Sequence, residues 1–393
     1  MTRRVGSRRI ADFGETVFAT YTRLATEHKA INLGQGFPDF ETPSFVLDAL
    51  RASAGEHQQY PPLPGLPELL EAVSEDHARR FGRTLDPVAN IQITVGATEG
   101  LFAAIQALVD PGDEVVIFEP FYDAYPADVT MAGGIPKFVP LHPQSDGLWH
   151  LDEAELRACF SPKTKLVILN TPHNPSGKLF SAEELDLIVE LAERHDSLIL
   201  SDEVYEHIAF GQHLPLASRP GAWARTLTIS SIGKTFSVTG WKVGWVSGPA
   251  PLIQAIRMAH QWIPFTVATP LQRASAAILN EAAQPGNPYY RELKQAYLRK
   301  RDLLVTALRE TPFSPLVPAG GYFVIADSRE LGYRDDIELC NDLPARAGVV
   351  AIPPSAFYSR EHKTLARHLV RFAYCKRDEA LIEAGNRLRA LAG

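Results

Sequence analysis

Cysteine is scarce in this chain: Cys159, Cys340 and Cys375 are the only three in 393 residues. They are far apart and odd in number. That excludes a disulfide framework and a zinc-ribbon spacing, and it fits a reducing cytoplasm. Basic charge is not concentrated either. Lys and Arg number 39 against 46 Asp and Glu, a net charge of −7, so neither nucleic acid nor an anionic membrane is an expected partner. No apolar run is long enough to cross a bilayer, and there is no internal repeat or low-complexity tract. Glycine-rich dinucleotide and nucleotide-hydrolase loops are absent. Glu203, Glu206 and His207 lie close in sequence, as do His362 and His368, but without a metal-ligand spacing, so no metal is expected. Arg3, Arg4, Arg8 and Arg9 are followed by no apolar core, which speaks against a secretory signal. An Arg-rich transit peptide stays open only weakly, because the segment is short and reaches Asp12 and Glu15 early.

What remains is ordinary globular composition, 45% hydrophobic and 22% charged, in a length suited to two domains. Strand-like runs at 91–95, 114–118, 137–141, 165–169, 198–201, 226–230 and 243–247 alternate with helical patterns such as 98–109 and 182–195. The latter opens on Ser181 with Glu184 three residues on, a capping box. Such alternation predicts an α/β unit with a mostly parallel sheet covered on both faces, over 43–276. After Pro285 a long charged helix near 290–310, short strands near 322–326 and 368–374 and a terminal helix after Asp378 predict a smaller α+β domain. That domain takes in 277–393, with 1–42 packed on it.

Polar residues gather where those strands end, and open α/β sheets bind ligands outside the carboxyl ends of their strands. Lys234 follows the apolar run 226–230. A lysine after a strand is most often a surface residue. One delivered to a pocket, with Lys242 nearby, has a lowered pKa and can form a Schiff base with a carbonyl. Gly96, Ala97 and Thr98 open a helix whose free N–H groups suit an anion, or they make a plain turn with Thr98 as N-cap. Ser231, Lys242 and Thr98 add groups suited to a phosphate. Asp202 at a buried strand end is expensive alone and needs a cation, such as a protonated pyridine nitrogen. Tyr205 and Asn174 can donate to a phenolate oxygen, or else serve as a core tyrosine and a turn asparagine. A Schiff-base lysine, a carboxylate for a ring nitrogen and a phosphate cradle together describe pyridoxal 5′-phosphate.

The chain resembles the fold-type I, class I/II pyridoxal-phosphate aminotransferases over nearly its full length. Within them it is most similar to the kynurenine aminotransferase, glutamine transaminase K and methionine aminotransferase group. The matching motifs are Asn32-Leu-Gly-Gln-Gly36-Phe-Pro-Asp-Phe40, Gln59-Tyr60-Pro-Pro, Val95-Gly-Ala-Thr-Glu99, Asn170-Thr-Pro-His-Asn174-Pro175-Ser-Gly177, Ser201-Asp202-Glu203-Val-Tyr205, Ser231-Ile-Gly-Lys234-Thr-Phe, Gly240-Trp-Lys242-Val-Gly244 and Val370-Arg371-Phe372. The resemblance implies that Lys234 carries the cofactor and later moves the substrate proton. Asp202 pairs with the ring nitrogen, Tyr205 and Asn174 hold the ring oxygen, and Tyr122 stacks on the ring. Ala97, Thr98, Ser231 and Lys242 bind the phosphate, with Tyr60 from a second subunit of a homodimer that shares its sites. Arg371 clamps the substrate carboxylate by its bidentate fork, with backbone help from Gly36. Lysine at 242, where many aminotransferases have arginine, fits the kynurenine-type group.

No second arginine is evident for a side-chain carboxylate. Phe18, Tyr122 and Phe265 make the expected side-chain pocket apolar. The resemblance therefore implies ping-pong transfer between an aromatic, methionine, glutamine or kynurenine-type amino acid and a 2-oxo acid. Two other activities share this pattern: N-succinyl-diaminopimelate transamination, and β-elimination from cysteine S-conjugates at the same site. A regulator with an aminotransferase-like domain would carry a basic DNA-binding segment first. The 32–40 motif begins too early to expect one.

Overall fold

The computed structural model describes residues 6–11, 13–55, 58–144 and 147–392. Arg3, Arg4 and Asp12, on which the transit-peptide reading turned, lie outside the described residues. Eight strands form the main sheet: β1 (Ile91–Thr94), β2 (Glu114–Glu119), β3 (Ile135–Pro143), β4 (Trp149–Leu151), β5 (Thr164–Asn170), β6 (Leu198–Asp202), β7 (Thr226–Ser231) and β8 (Gly244–Ser247). Their spatial order is β1-β8-β7-β6-β5-β2-β3-β4. The five strands from β7 to β3 in that order run parallel, while β8 is antiparallel to both its neighbours and β4 is antiparallel to β3.

The sequence accounts for this sheet. Its inner strands are β-branched apolar runs that need cover on both faces, and they alternate between two cores. Val115, Ile117, Leu166, Ile168 and Leu200 pack on one side with Leu101 and Ile105 of the helix Gly96–Leu108. Val116, Val167, Leu169 and Ile199 pack on the other with Leu185 and Ile188 of the helix Ala182–Arg194. That second helix has the expected capping box between Ser181 and Glu184. The first begins two residues earlier than its pattern predicts. Val95 is its N-cap, so Thr98 lies inside the first turn and is not the cap. The hairpin strand β4 carries no run long enough to be read from sequence.

A second, three-stranded antiparallel sheet joins β9 (Ser314–Leu316), β10 (Phe323–Asp327) and β11 (Leu369–Ala373). The helices Tyr289–Arg309 and Asp378–Arg389 pack together beside it, where a Cβ at Gly385 would stand 2.6 Å from that of Ala307. Ile31–Asn32 pairs in parallel with Val349–Val350.

The reversal of β8 positions the site. Lys242 precedes its strand. Only an antiparallel strand brings such a residue to the edge where β1, β5, β6 and β7 end. At that edge Gly244 pairs with Thr94 on one side and Ser231 on the other. A Cβ on Gly244 would sit 2.7 Å from Ala97 N, 2.8 Å from Gly96 C and 2.8 Å from Ser230 O. All three are backbone atoms, which cannot swing away. Gly244→Ala is therefore expected to cost about 1–3 kcal/mol in urea unfolding. An unchanged midpoint would show that the edge is slack.

Candidate active site

The strand ends do converge. A cavity is lined by Ala97 and Thr98 after β1, Tyr122 after β2, Asn170 and Asn174 from the end of β5, Asp202 and Tyr205 from β6, and Lys234 after β7. The sequence singled out every one of these but Asn170 for the site. The structure adds Tyr125 to the lining.

Lys234 sits on a single helical turn, Ile232–Thr235, that follows β7 directly. Its Nζ donates to the Tyr322 hydroxyl at 2.9 Å and stands 5.6 Å from the centre of the Tyr205 ring. Its pKa is lowered, first by burial. The charges of Cys375 and Asp202 oppose that, and Lys242 adds to it. The second cation thus acts as expected, but desolvation is the larger cause.

Asp202 is buried, and burial pushes its carboxyl up to about 6. Its Oδ2 accepts from the Tyr125 hydroxyl at 2.7 Å, and its backbone carbonyl accepts from Asn170 Nδ2 at 2.8 Å. Asn170 Oδ1 in turn accepts from the Asn174 amide at 2.5 Å. Reasoning from motifs missed Tyr125. A buried tyrosine three residues after Tyr122 looks like core, and only the fold aims its hydroxyl at β6.

The anion cradle is built from the N-terminus of the 13-residue helix Gly96–Leu108, which no side chain caps. Lys242 Nζ reaches across and donates to Thr98 Oγ1 at 3.0 Å. Lys242 has a left-handed backbone (φ 54), and desolvation lowers its ammonium pKa although the residue stays exposed. A Cβ on Gly96, itself at φ +69, would meet the Lys242 Cε at 3.3 Å, so glycine keeps the lysine and the helix end together. Ser231 is buried beside them as the residue before the Lys234 turn, and its side chain caps nothing. An open helix N-terminus, an ammonium and two hydroxyls suit a phosphate dianion.

Arg371 lies on β11, 1% exposed. Its Nη2 donates to the Gly34 carbonyl at 2.8 Å, and its buried Nε has no partner among the described residues. No carboxylate pairs with it there either. Instead its guanidinium lies 4.1 Å from the ring centre of Phe323, 4.9 Å from Phe357 and 5.3 Å from Phe18. Burial draws its pKa down to about 10. An unpaired buried guanidinium is costly and awaits an anion. Phe18 is where the sequence put it. Phe357 was missed, because it arrives on a 3-10 turn far along the chain. Arg371 holds the Gly34 carbonyl, whereas the Gly36 carbonyl accepts from Tyr322.

Two expected residues stand apart. Tyr60 is 77% exposed and Phe265 51%, packed edge to face at 5.3 Å, and neither lines the cavity. The acidic residues set aside earlier have other partners. Glu203 meets His213 at 2.8 Å, Glu206 meets Arg80 at 3.2 Å, and His207 stacks on Tyr290. His362 pairs with Glu119. His173 is buried against Ser176 at 2.7 Å, and burial lowers its pKa to about 3.

Comparison with known proteins agrees with this geometry. The family model described as aminotransferase class I and II matches residues 28–385. A kynurenine–oxoglutarate transaminase of Dictyostelium discoideum is 41% identical, covering 98% of this chain and 96% of its own. The structure of an N-succinyldiaminopimelate aminotransferase from Mycobacterium tuberculosis superposes with a TM-score of 0.94 at 43% identity, over 98% of this chain and all of the other. An Escherichia coli structure reported with a methionine aminotransferase function gives 0.93 at 38% identity, over 99% and 100%.

Asp202 generates a stability prediction. Its folded pKa lies above the ordinary 3.8, so in the ligand-free protein its stabilising contribution is present at low pH and lost as pH rises toward about 6. A displacement of about two pH units is worth about 3 kcal/mol. Relative to wild type, Asp202→Asn should therefore gain up to that amount between pH 4 and about 7 in urea titrations. A difference that does not change with pH would mean the buried carboxylate is not what titrates.

Proposed function

The chain belongs to the class I and II aminotransferases, and from that premise we propose that it moves an amino group between an aromatic, methionine, glutamine or kynurenine-type amino acid and a 2-oxo acid. Members of this family use pyridoxal 5′-phosphate, and the residues present fit that group. Lys234 would carry it through Nζ, and Asp202 would face its protonated ring nitrogen. Tyr205 and Asn174 would hold its ring oxygen, and Tyr122 would cover its face. The Ala97 backbone with Thr98, Ser231 and Lys242 would hold its phosphate. When bound, the cofactor supplies a sink for the electron pair left on the substrate α-carbon.

The chain's own residues do the rest. Desolvation favours the neutral amine of Lys234, so its Nζ can take the α-proton and return it elsewhere. Asp202 would hold the proton on the ring nitrogen by its charge, from a position that burial keeps away from water. Arg371 binds the α-carboxylate through the fork atoms that no carboxylate among the described residues occupies. That unpaired, buried guanidinium is the single observation that carries the reading. A catalytic lysine and an anion cradle alone would fit many reactions of this cofactor, and the waiting carboxylate site selects an amino acid.

The side-chain region offers Phe18, Phe357 and Tyr122 and no second free cation among the described residues. A carboxylate buried there unpaired would lose about a thousandfold in rate. N-succinyl-diaminopimelate is the second reading, favoured by the 43% identity to the Mycobacterium tuberculosis structure. We further place the enzyme in the cytoplasm, which suits three free cysteines. We divide it into a large domain over 43–276, which holds the whole eight-stranded sheet, and a small one over 1–42 and 277–393. The homodimer is supported by Tyr60, Phe265 and Trp262, large aromatics exposed in one chain and outside its cavity.

Borohydride should fix the cofactor to Lys234, and a donor screen should rank methionine, phenylalanine, kynurenine or glutamine far above aspartate. Arg371→Lys should raise the Michaelis constant for every donor alike, since lysine lacks the fork. Aspartate as best donor would refute the substrate class, and a dominant succinylated diaminopimelate would install the second reading. Mixed dimers of Lys234→Ala and Tyr60→Phe chains should recover activity above either parent, because one composite site would be intact. Recovery of nothing would mean self-contained sites.

A further inference from the structure

Tyr322 is fully buried, and the partners of its hydroxyl, Lys234, Gly36 and the Tyr205 hydroxyl, belong to the site. Lys234 Nζ lies 2.9 Å from that oxygen, and the Gly36 carbonyl oxygen lies 2.5 Å from it. A carbonyl has no proton to give. The phenol must therefore donate to Gly36, and its lone pair must accept from Lys234. The ring cannot drift. It stands edge-on to Tyr205 at 5.0 Å, is stacked on Tyr297 at 6.0 Å and abuts Phe323 at 4.8 Å. Its backbone is pinned as well. The Gly321 amide donates to Ile208, the Tyr374 amide donates to the Tyr322 carbonyl, and the Tyr374 hydroxyl donates to the Gly321 carbonyl.

We propose that Tyr322 is the positioning residue for Lys234: it holds the free ε-amine in place and ties it to the loop that Arg371 also holds. The tie runs through two carbonyls two residues apart, Gly36 on Tyr322 and Gly34 on Arg371. Amine and guanidinium, which act on the α-proton and the α-carboxylate of one substrate, are thereby linked by a single short stretch of backbone. A merely structural tyrosine could satisfy its hydroxyl on any carbonyl. This one takes its acceptor contact from the catalytic amine. The inference rests on the transamination reading and adds a residue to it.

Tyr322→Phe keeps the ring and removes the hydroxyl's hydrogen bonds to Lys234, Gly36 and Tyr205. In cofactor-free protein, the rate at which a small acylating reagent modifies Lys234, read by peptide mass spectrometry, follows the neutral fraction of that amine. Accepting a hydrogen bond favours the charged donor, so the midpoint of this rate against pH should move to lower pH in Tyr322→Phe. Of the other groups facing the amine, Asp202, Lys242, Arg371 and Cys375 are unchanged, while Tyr205 keeps its place and loses its contact with the Tyr322 hydroxyl. In the loaded enzyme, kcat should fall about ten- to hundredfold while the donor Michaelis constant stays within about twofold. Replacing Tyr322 by 3-fluorotyrosine keeps the shape and weakens the acceptor, so it should move the midpoint the same way by less. This second protein serves if the phenylalanine variant folds poorly. An unmoved midpoint in the folded proteins, with kcat within about twofold of wild type, overturns the proposal. If wild type transaminates no donor, the functional reading fails, and the labelling midpoint still decides whether the tie exists.

Discussion

Cations outnumber carboxylates where the strands end, and the arrangement of the site follows from that imbalance. Burial is the foremost influence on Lys234, Lys242 and Arg371, and it lowers the pKa of each. Asp202 is the carboxylate of the cavity, and burial pushes it the other way. A fold selected for stability alone would replace such groups with apolar ones or pair them. Here Lys242 leans on a hydroxyl, Arg371 on a carbonyl and three aromatic rings, and Lys234 on a phenol. Each contact orients a cation without neutralising it. The free positive charge suits two anions, one at the helix end and one at the arginine.

The sheet makes this concentration possible. Parallel strands place their carboxyl ends along one edge, where helix N-termini also point and water is kept away by the strands behind. The antiparallel β8 delivers Lys242 to the same edge from the opposite direction, and Gly244 lets its backbone lie against Ala97 and Ser230. Arg371 comes from the other sheet, so the site draws its charged groups from two different sheets. Tyr322 stands at their junction. Its neighbour Gly321 donates to Ile208, which follows β6, and its own carbonyl accepts from Tyr374, which follows β11.

Much of this was legible beforehand. Long apolar β-branched runs flanked by turn residues marked seven of the eight strands of the main sheet within one or two residues. Ser181 and Glu184 marked a helix start, because a capping box is a local structure written in two side chains. Lys234, Asp202 and Thr98 were legible for a similar reason. Each stands next to a strand end, and a strand end in an α/β sheet has a known address. The β4 hairpin was not readable, being three residues long. Thr98 was placed as a possible cap, whereas the helix starts earlier because Gly96 can adopt a positive φ.

The sequence by itself therefore determined the alternation of elements, the edge on which chemistry gathers and the residue types that make a lysine, a carboxylate and an anion cradle work together. Those depend on local pattern and on the fixed geometry of parallel strands. Tertiary structure alone decided the direction of β8, the bond from Tyr125 to Asp202, the aromatic enclosure of Arg371 by Phe18, Phe323 and Phe357, and the link from Tyr322 to Lys234 and Gly36. Tyr322 is 88 residues from Lys234 and 286 from Gly36. No periodicity spans such separations, and a buried tyrosine reads as core until the packing shows which groups its hydroxyl meets.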